Sequence, residues 1–386
     1  MLSMIRKDLD ALREAGKLKS APYIASAMGP VVRLDDGREV VNLSSNNYLG
    51  LADDPRVIES AARAMKVHGF GTASVRFICG SFELHRELER EISAFTGMAA
   101  STTYVSCWNA NEALLPTLLG TDGAVISDRL NHASIIDSCR LCNKNVLRLV
   151  YEHSDMADLE TQLKAAADRP RRIVITDGVF SMEGDIAKLP EIIRLSHKYG
   201  ALVAVDDSHG HGVLGDKGGG VCEHYGVAAD IVTGTLGKAL GGAAGGFIAG
   251  PADVIEMLVQ ASRPQLFSNA LPPAVAGGAL EAIRILRNDP ALVATLRSNV
   301  AYMRGALKSK GLEVLDSPSA ILPIIIGPTA KALEMSRKLL TEGVLVTGFG
   351  YPVVPEGAAR LRVQVSAAHK PQHMDAAVNA IARCVK

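Results

Sequence analysis

Ile173-Val174-Ile175-Thr176-Asp177, Ala201-Leu202-Val203-Ala204-Val205-Asp206 and Ile231-Val232-Thr233-Gly234-Thr235-Leu236-Gly237-Lys238 are three apolar runs, and each passes into polar residues at its C-terminal end. Residues 189–199, between the first two, have helical spacing. Upstream the pattern repeats, with runs at 124–128 and 146–151 alternating with helices over 133–141 and 156–167. Near-continuous apolar strands joined by helices predict an α/β fold whose mostly parallel sheet is covered on both faces. Ligands of such sheets sit beyond the carboxyl ends of the strands. Asp128, Asp177, Asp206, Asp207 and Thr235 fall at those ends.

On either side of this block the organisation changes. Residues 4–15 read as a polar helix. Residues 31–34 and 40–43 flank Asp35-Asp36-Gly37 as a hairpin. Helices are expected over 55–67, with Pro55 at the start, and over 81–96, where Leu84, Leu88, Ile92 and Phe95 form a stripe and Ser81 is placed to cap. After about residue 275 long helices mix with shorter strands, which predicts a smaller α+β domain. The expected division is an N-terminal helix and hairpin (1–48), a large domain (49–275) and a small C-terminal domain (276–386) joined by the N-terminal segment.

Composition narrows the function classes. Of 386 residues 48% are hydrophobic and 21% charged, a globular balance. Lys plus Arg and Asp plus Glu are both 41, which argues against binding nucleic acid or anionic membrane by bulk charge. No apolar run reaches a membrane span, and residues 1–19 lack a secretory apolar core. Six scattered cysteines suggest reduced thiols and a cytoplasmic protein.

Thr233 to Gly242 places Lys238 in a glycine-bounded turn just past a strand. Small residues there let backbone and hydroxyl approach a phosphate while the amine reaches a carbonyl to form a Schiff base. By itself the motif also suits a solvated loop lysine; the glycine spacing is not that of a Walker A loop. Asp206 at a buried strand end suits a pyridinium N–H, or a turn cap. His132 at a helix start suits stacking on a flat cofactor, or a cap. Ser106-Cys107-Trp108-Asn109 opens a helix whose first N–H groups suit an anion. A rival reading takes Asp206, Asp207, His209 and His211 as a metal-binding run, with Cys139 and Cys142 as a further thiol pair.

Several further segments carry a resemblance: Asn46-Asn47-Tyr48-Leu49-Gly50-Leu51, His68 to Gly80, Leu130 to Asp137, Thr176 to Met182, Ser262-Arg263-Pro264 with Leu266 to Asn269, Val346 to Phe349 with Tyr351 to Pro355, and Ser366 to His369. Together with the Lys238 turn they resemble the α-oxoamine synthases over nearly the whole chain. These are pyridoxal 5'-phosphate (PLP) enzymes of fold type I, with a large domain built on a mostly parallel seven-stranded sheet. The resemblance is greatest to the glycine C-acetyltransferase branch (2-amino-3-ketobutyrate CoA ligases), which joins glycine to acetyl-CoA and runs in reverse in threonine breakdown. It implies that Lys238 bears the cofactor and moves the substrate α proton, that Asp206 partners the pyridinium, and that His209 and Ser181 lie near the phenolic oxygen. It implies that His132 stacks on the ring and meets the acyl carbonyl. Thr235 and the N–H groups of Cys107 and Trp108 would hold the phosphate. Phe267 and Ser268 would serve the other subunit of a homodimer. Arg362 would hold the substrate carboxylate, with Asn46 as a second contact. Two departures bear on the amino acid used: Gly210-His211-Gly212 replaces Ala-Val-Gly, and Trp108 replaces Phe or Tyr.

Overall fold

The computed structural model describes residues 1–18 and 21–385. The chain divides into two compact units: Leu51–Ser181 with Asp185–Ala294, and Met1–Gly50 with Met182–Gly184 and Thr295–Lys386.

The first unit is built on a seven-stranded sheet. Its strands lie in the order Ala100–Tyr104, Gly246–Gly250, Ile231–Thr235, Leu202–Asp206, Arg172–Asp177, Ala124–Asp128, Leu147–Tyr151. All pairings are parallel except those of Gly246–Gly250, which runs antiparallel to both neighbours. Ala100–Tyr104 and Gly246–Gly250 are the strands missing from the sequence-based reading. One is rich in Ser and Thr and the other is bounded by glycines, so neither has a long apolar run. The register sets Asp177 opposite Asp206 and Asp206 opposite Thr233. The polar ends of three strands therefore finish at one level. Helix Cys107–Leu118 buries Ala110, Ala113, Leu114 and Leu115 in the core that also holds Ile175, Ala204 and Ile231.

Two expectations need correction. The large unit extends to Ala294, not 275. Helix Pro273–Asn288 packs on Pro55–His68 and Glu83–Thr96, and at Gly277 the helices approach closely: a Cβ there would stand 2.6 Å from that of Ala64. The Ser60 hydroxyl donates to the Gly277 carbonyl at 3.0 Å. Ser81 does not cap its helix, which starts at Glu83 after Phe82. The Ser81 hydroxyl instead accepts from Arg76 Nε at 2.7 Å, and His85 Nδ1 takes the Phe82 N–H at 3.1 Å.

In the second unit the expected hairpin pairs Val31–Arg33 with Glu39–Asn42, and Val344–Leu345 adds to it in parallel. Ile321–Gly327, Ala359–Gln364 and Thr347–Phe349 form a separate antiparallel sheet. Residues 344–349 thus divide between two sheets. Among the described residues no helix is long and apolar enough to cross a membrane.

Candidate active site

The carboxyl ends of the parallel strands open into a cavity of about 240 Å³. Asp206 ends its strand there with 4% of its surface exposed. Asn111 Nδ2 donates to Asp206 Oδ2 at 2.6 Å and to Ser134 Oγ at 2.9 Å, while its Oδ1 accepts from the Thr233 hydroxyl at 2.9 Å. The Ser208 N–H donates to Asp206 Oδ1 at 3.1 Å. The carboxylate is therefore fixed in place by its neighbours. Cys107 Sγ lies 3.7 Å from Asp206 Oδ2; burial, and then the Asp206 charge, push its pKa well up, so it remains a thiol.

His132 forms one wall as the N-cap of helix Ala133–Leu141. Its backbone N–H donates to Asp177 Oδ2 at 2.8 Å, and Asp177 N–H donates to Asn131 Oδ1 at 2.7 Å. Partial withdrawal from water lowers the His132 pKa, so the imidazole is mostly neutral at pH 7. Burial first, and the Asp206 charge second, raise the Asp177 carboxyl well above the carboxylate range.

Lys238 Nζ lies 2.9 Å from His209 Nε2, and both residues line the cavity. The turn carrying the lysine is tied by Gly237 N–H donating to Thr235 Oγ1 at 3.0 Å. Thr235, Ser181, Cys107 and Trp108 also line the cavity. Gly246 lies against the start of the Cys107 helix: a Cβ there would stand 2.3 Å from the Cys107 nitrogen. Gly246→Ala is expected to displace that helix start and destabilise the fold by about 1–3 kcal/mol, read as a lower melting temperature with weaker anion binding.

The other named residues are not among those that line the cavity. Phe267 is 69% exposed at the end of helix Arg263–Phe267, and neither it nor Ser268 lines the cavity of its own chain. Asn46, Tyr48 and Arg362 meet within the second unit. The Tyr48 hydroxyl is 3.3 Å from Asn46 Oδ1 and 2.8 Å from Gln364 Oε1, and the Arg362 charge acts on the phenol. The Arg362 guanidinium stacks 4.7 Å from the Phe349 ring centre. The neighbouring Asn47 is buried and donates to the Met28 carbonyl at 3.0 Å.

The metal reading fails on packing. His211 lies between Phe95 and Phe247, with ring centres 5.4 and 5.5 Å away, and burial lowers its pKa to about 4. Asp207 is spent on the Val221 N–H at 2.7 Å, and burial raises its carboxyl to about 7. Among the described residues no group of three or more His, Cys, Asp or Glu side chains is placed to hold a metal ion.

Sequence reasoning missed Asn111, Ser134 and His153. His153 bridges Asp128 Oδ1 at 3.0 Å and Asp185 Oδ2 at 2.9 Å, and packs edge-on against Phe180, next to Ser181. Burial alone lowers its pKa, but the bonds and charges of Asp128 and Asp185 outweigh that and raise it to about 10. A raised imidazole pKa stabilises the fold fully below the unfolded value of about 6.5 and loses that contribution as pH rises through about 10. His153→Gln is expected to be less stable at neutral pH and to show a flatter fall in stability toward alkaline pH, measured by urea unfolding.

The sequence profile of the aminotransferase class I and II family matches residues 38–381. An 8-amino-7-oxononanoate synthase of Thermoanaerobacter pseudethanolicus is 46% identical over 100% of this chain and 97% of its own. A 2-amino-3-ketobutyrate coenzyme A ligase of Escherichia coli is 45% identical over 99% of this chain and 96% of its own. A serine palmitoyltransferase of S. paucimobilis, solved with a PLP adduct bound, superposes with a TM-score of 0.92 at 30% identity, covering 98% of this chain and 96% of the other. The chain belongs to the α-oxoamine synthase family.

The family's cofactor is PLP, and the cavity of this α-oxoamine synthase fits it. The Lys238 amine and the buried Asp206 carboxylate, already held by Asn111, line it together. The His132 imidazole, the Thr235 hydroxyl and the start of helix Cys107–Leu118 line the same space, and free N–H groups at a helix start suit a phosphate.

Proposed function

We propose that this α-oxoamine synthase condenses glycine with acetyl-CoA to 2-amino-3-oxobutyrate and CoA, and catalyses the reverse cleavage. The observation that carries the PLP-dependent part is the placement of the Lys238 amine in the same cavity as a carboxylate fixed by Asn111. The choice of glycine and acetyl-CoA is supported by identity along the full chain with the E. coli ligase. When bound, PLP holds the amino acid nitrogen and withdraws electrons from Cα. Asp206 would favour the protonated ring nitrogen by its charge. Lys238, with His209 beside its amine, would take the proton from Cα. The new electron pair forms a bond to the acyl carbonyl carbon, the C–S bond breaks, and CoA leaves with the sulfur pair. Neutral His132 is the proposed hydrogen-bond donor to the acyl oxygen. Arg362 is the proposed carboxylate clamp, with Asn46 as its second contact; a planar guanidinium suits two parallel hydrogen bonds. Phe267 and Ser268 are proposed to complete the neighbouring site of a homodimer, and the reduced thiols support a cytoplasmic setting.

A second reading has its own support. The name 8-amino-7-oxononanoate also places amino and oxo groups on adjacent carbons, so the relative that makes it forms the same kind of bond from a different pair of substrates. CoA release with glycine, alanine, serine or threonine against acetyl-CoA and longer acyl-CoAs separates the two. Glycine with acetyl-CoA is expected to give the highest kcat/KM; alanine with a longer acyl group in first place would replace the assignment.

A further inference from the structure

Trp108 is the chain's single tryptophan and is 39% exposed at the cavity. Its indole is nevertheless held on two sides. Nε1–H donates to Glu112 Oε1 at 2.8 Å, one turn along the helix, and the other Glu112 oxygen accepts from Asn109 Nδ2 at 3.0 Å. The brace is thus itself fixed. The indole then meets the His132 imidazole edge to face, with ring centres 5.9 Å apart and planes at 79°. Along its own segment His132 is tied through Nδ1, to Ser134 Oγ at 2.8 Å and to the Ser134 N–H at 3.2 Å. Both bonds converge on one ring atom, which leaves the ring plane able to pivot about it. An edge-to-face contact from a braced indole removes that freedom. An exposed aromatic fixed by side chains at a cavity mouth, and not by the core, is the arrangement expected of a preorganised binding wall.

We propose that Trp108, braced by Glu112, is a positioning residue that fixes the ring plane of His132 and so sets how tightly the cavity wall receives the cofactor ring. The proposal rests on the reading of His132 as the residue that stacks on PLP. Trp108 acts here through its side chain, separately from any backbone contact with the phosphate.

The test measures PLP affinity by equilibrium dialysis, together with indole emission of the cofactor-free protein. Trp108→Ala is expected to raise the Kd for PLP about three- to tenfold, the range set by aromatic pairs. Trp108→Phe keeps a ring edge and is expected to restore most of that loss; Glu112→Ala is expected to fall between. In a His132→Ala background Trp108→Ala is expected to add nothing, since the two residues act as one unit. In cofactor-free protein, Glu112→Ala and His132→Ala are each expected to change Trp108 emission. An unchanged Kd in Trp108→Ala, or a full additional loss in the His132→Ala background, overturns the proposal. So does a Trp108→Phe variant that regains melting temperature but not PLP affinity, since that assigns the indole a purely structural task. Failure of the PLP reading shows differently: the unaltered protein would then bind PLP without saturation.

Discussion

Lys238→Ala is expected to lower turnover by about 10³-fold or more, because it removes the group read as both the covalent anchor and the proton carrier. The melting temperature should barely change. Lys238 ends in a cavity and its backbone turn is tied by Thr235 and Gly237, not by the amine. PLP should still bind, more weakly, through the Asp206 carboxylate and the Cys107 helix start, but without the visible band of lysine-linked cofactor. Lys238→Arg tests the same point with the charge retained: guanidinium is not a usable nucleophile, so it should be equally inactive. Near-normal turnover in either variant would sink the mechanism.

Asp206→Asn should lower turnover and change how stability depends on pH. The two side chains have nearly the same shape, but the Asn111 amide and the Ser208 N–H donate to different Asp206 oxygens, so an amide at 206 accepts from one of them and turns its own NH2 toward the other. What disappears is the charge that favours a protonated pyridine nitrogen, so turnover should fall on the order of 10²-fold or more. The unmatched donor lowers stability at every pH, by about 1–3 kcal/mol, while the lost charge changes the pH dependence. Asp177 binds its proton more tightly in the folded chain than its ordinary carboxylate value of 3.8, with burial the larger cause and Asp206 the second. The folded state therefore holds more protons there, and stability falls as pH rises above that value. Removing the Asp206 charge removes part of this penalty. Urea unfolding between about pH 5 and 8 should show a flatter decline for Asp206→Asn than for the unaltered chain. A steeper decline would show that the two carboxyl groups do not oppose one another.

The two aspartates illustrate how far sequence reasoning reaches. Asp177 and Asp206 are both visible as polar ends of apolar runs, and their placement beyond a parallel sheet follows from strand period and the alternation with helices. Their direct opposition is a matter of register, which one strand cannot specify alone. Asn111 lies two residues beyond the Ser106 to Asn109 helix start. Its hydrogen bond to Asp206 spans 95 positions, and no local pattern signals it. His153 gave no signal either, because a histidine in a polar loop is common and its two carboxylate partners come from separate segments. His211 shows how a rival reading is settled. Spacing in Asp-Asp-Ser-His-Gly-His allows a metal, but Phe95 and Phe247, distant in sequence, turn that ring into a core side chain.

The order of apolar runs and helices, the lysine in its glycine-bounded turn and the acidic strand ends were set by the chain's local chemistry, since periodicity and turn preference act over a few residues. Which side chains hold one another was decided only in three dimensions: the antiparallel Gly246–Gly250 strand, the helix start it accommodates, the amide that grips Asp206 and the indole that meets His132. Those contacts join segments far apart along the chain, and a hydrogen bond or ring contact depends on distance in space, which only the packed sheet and helices supply.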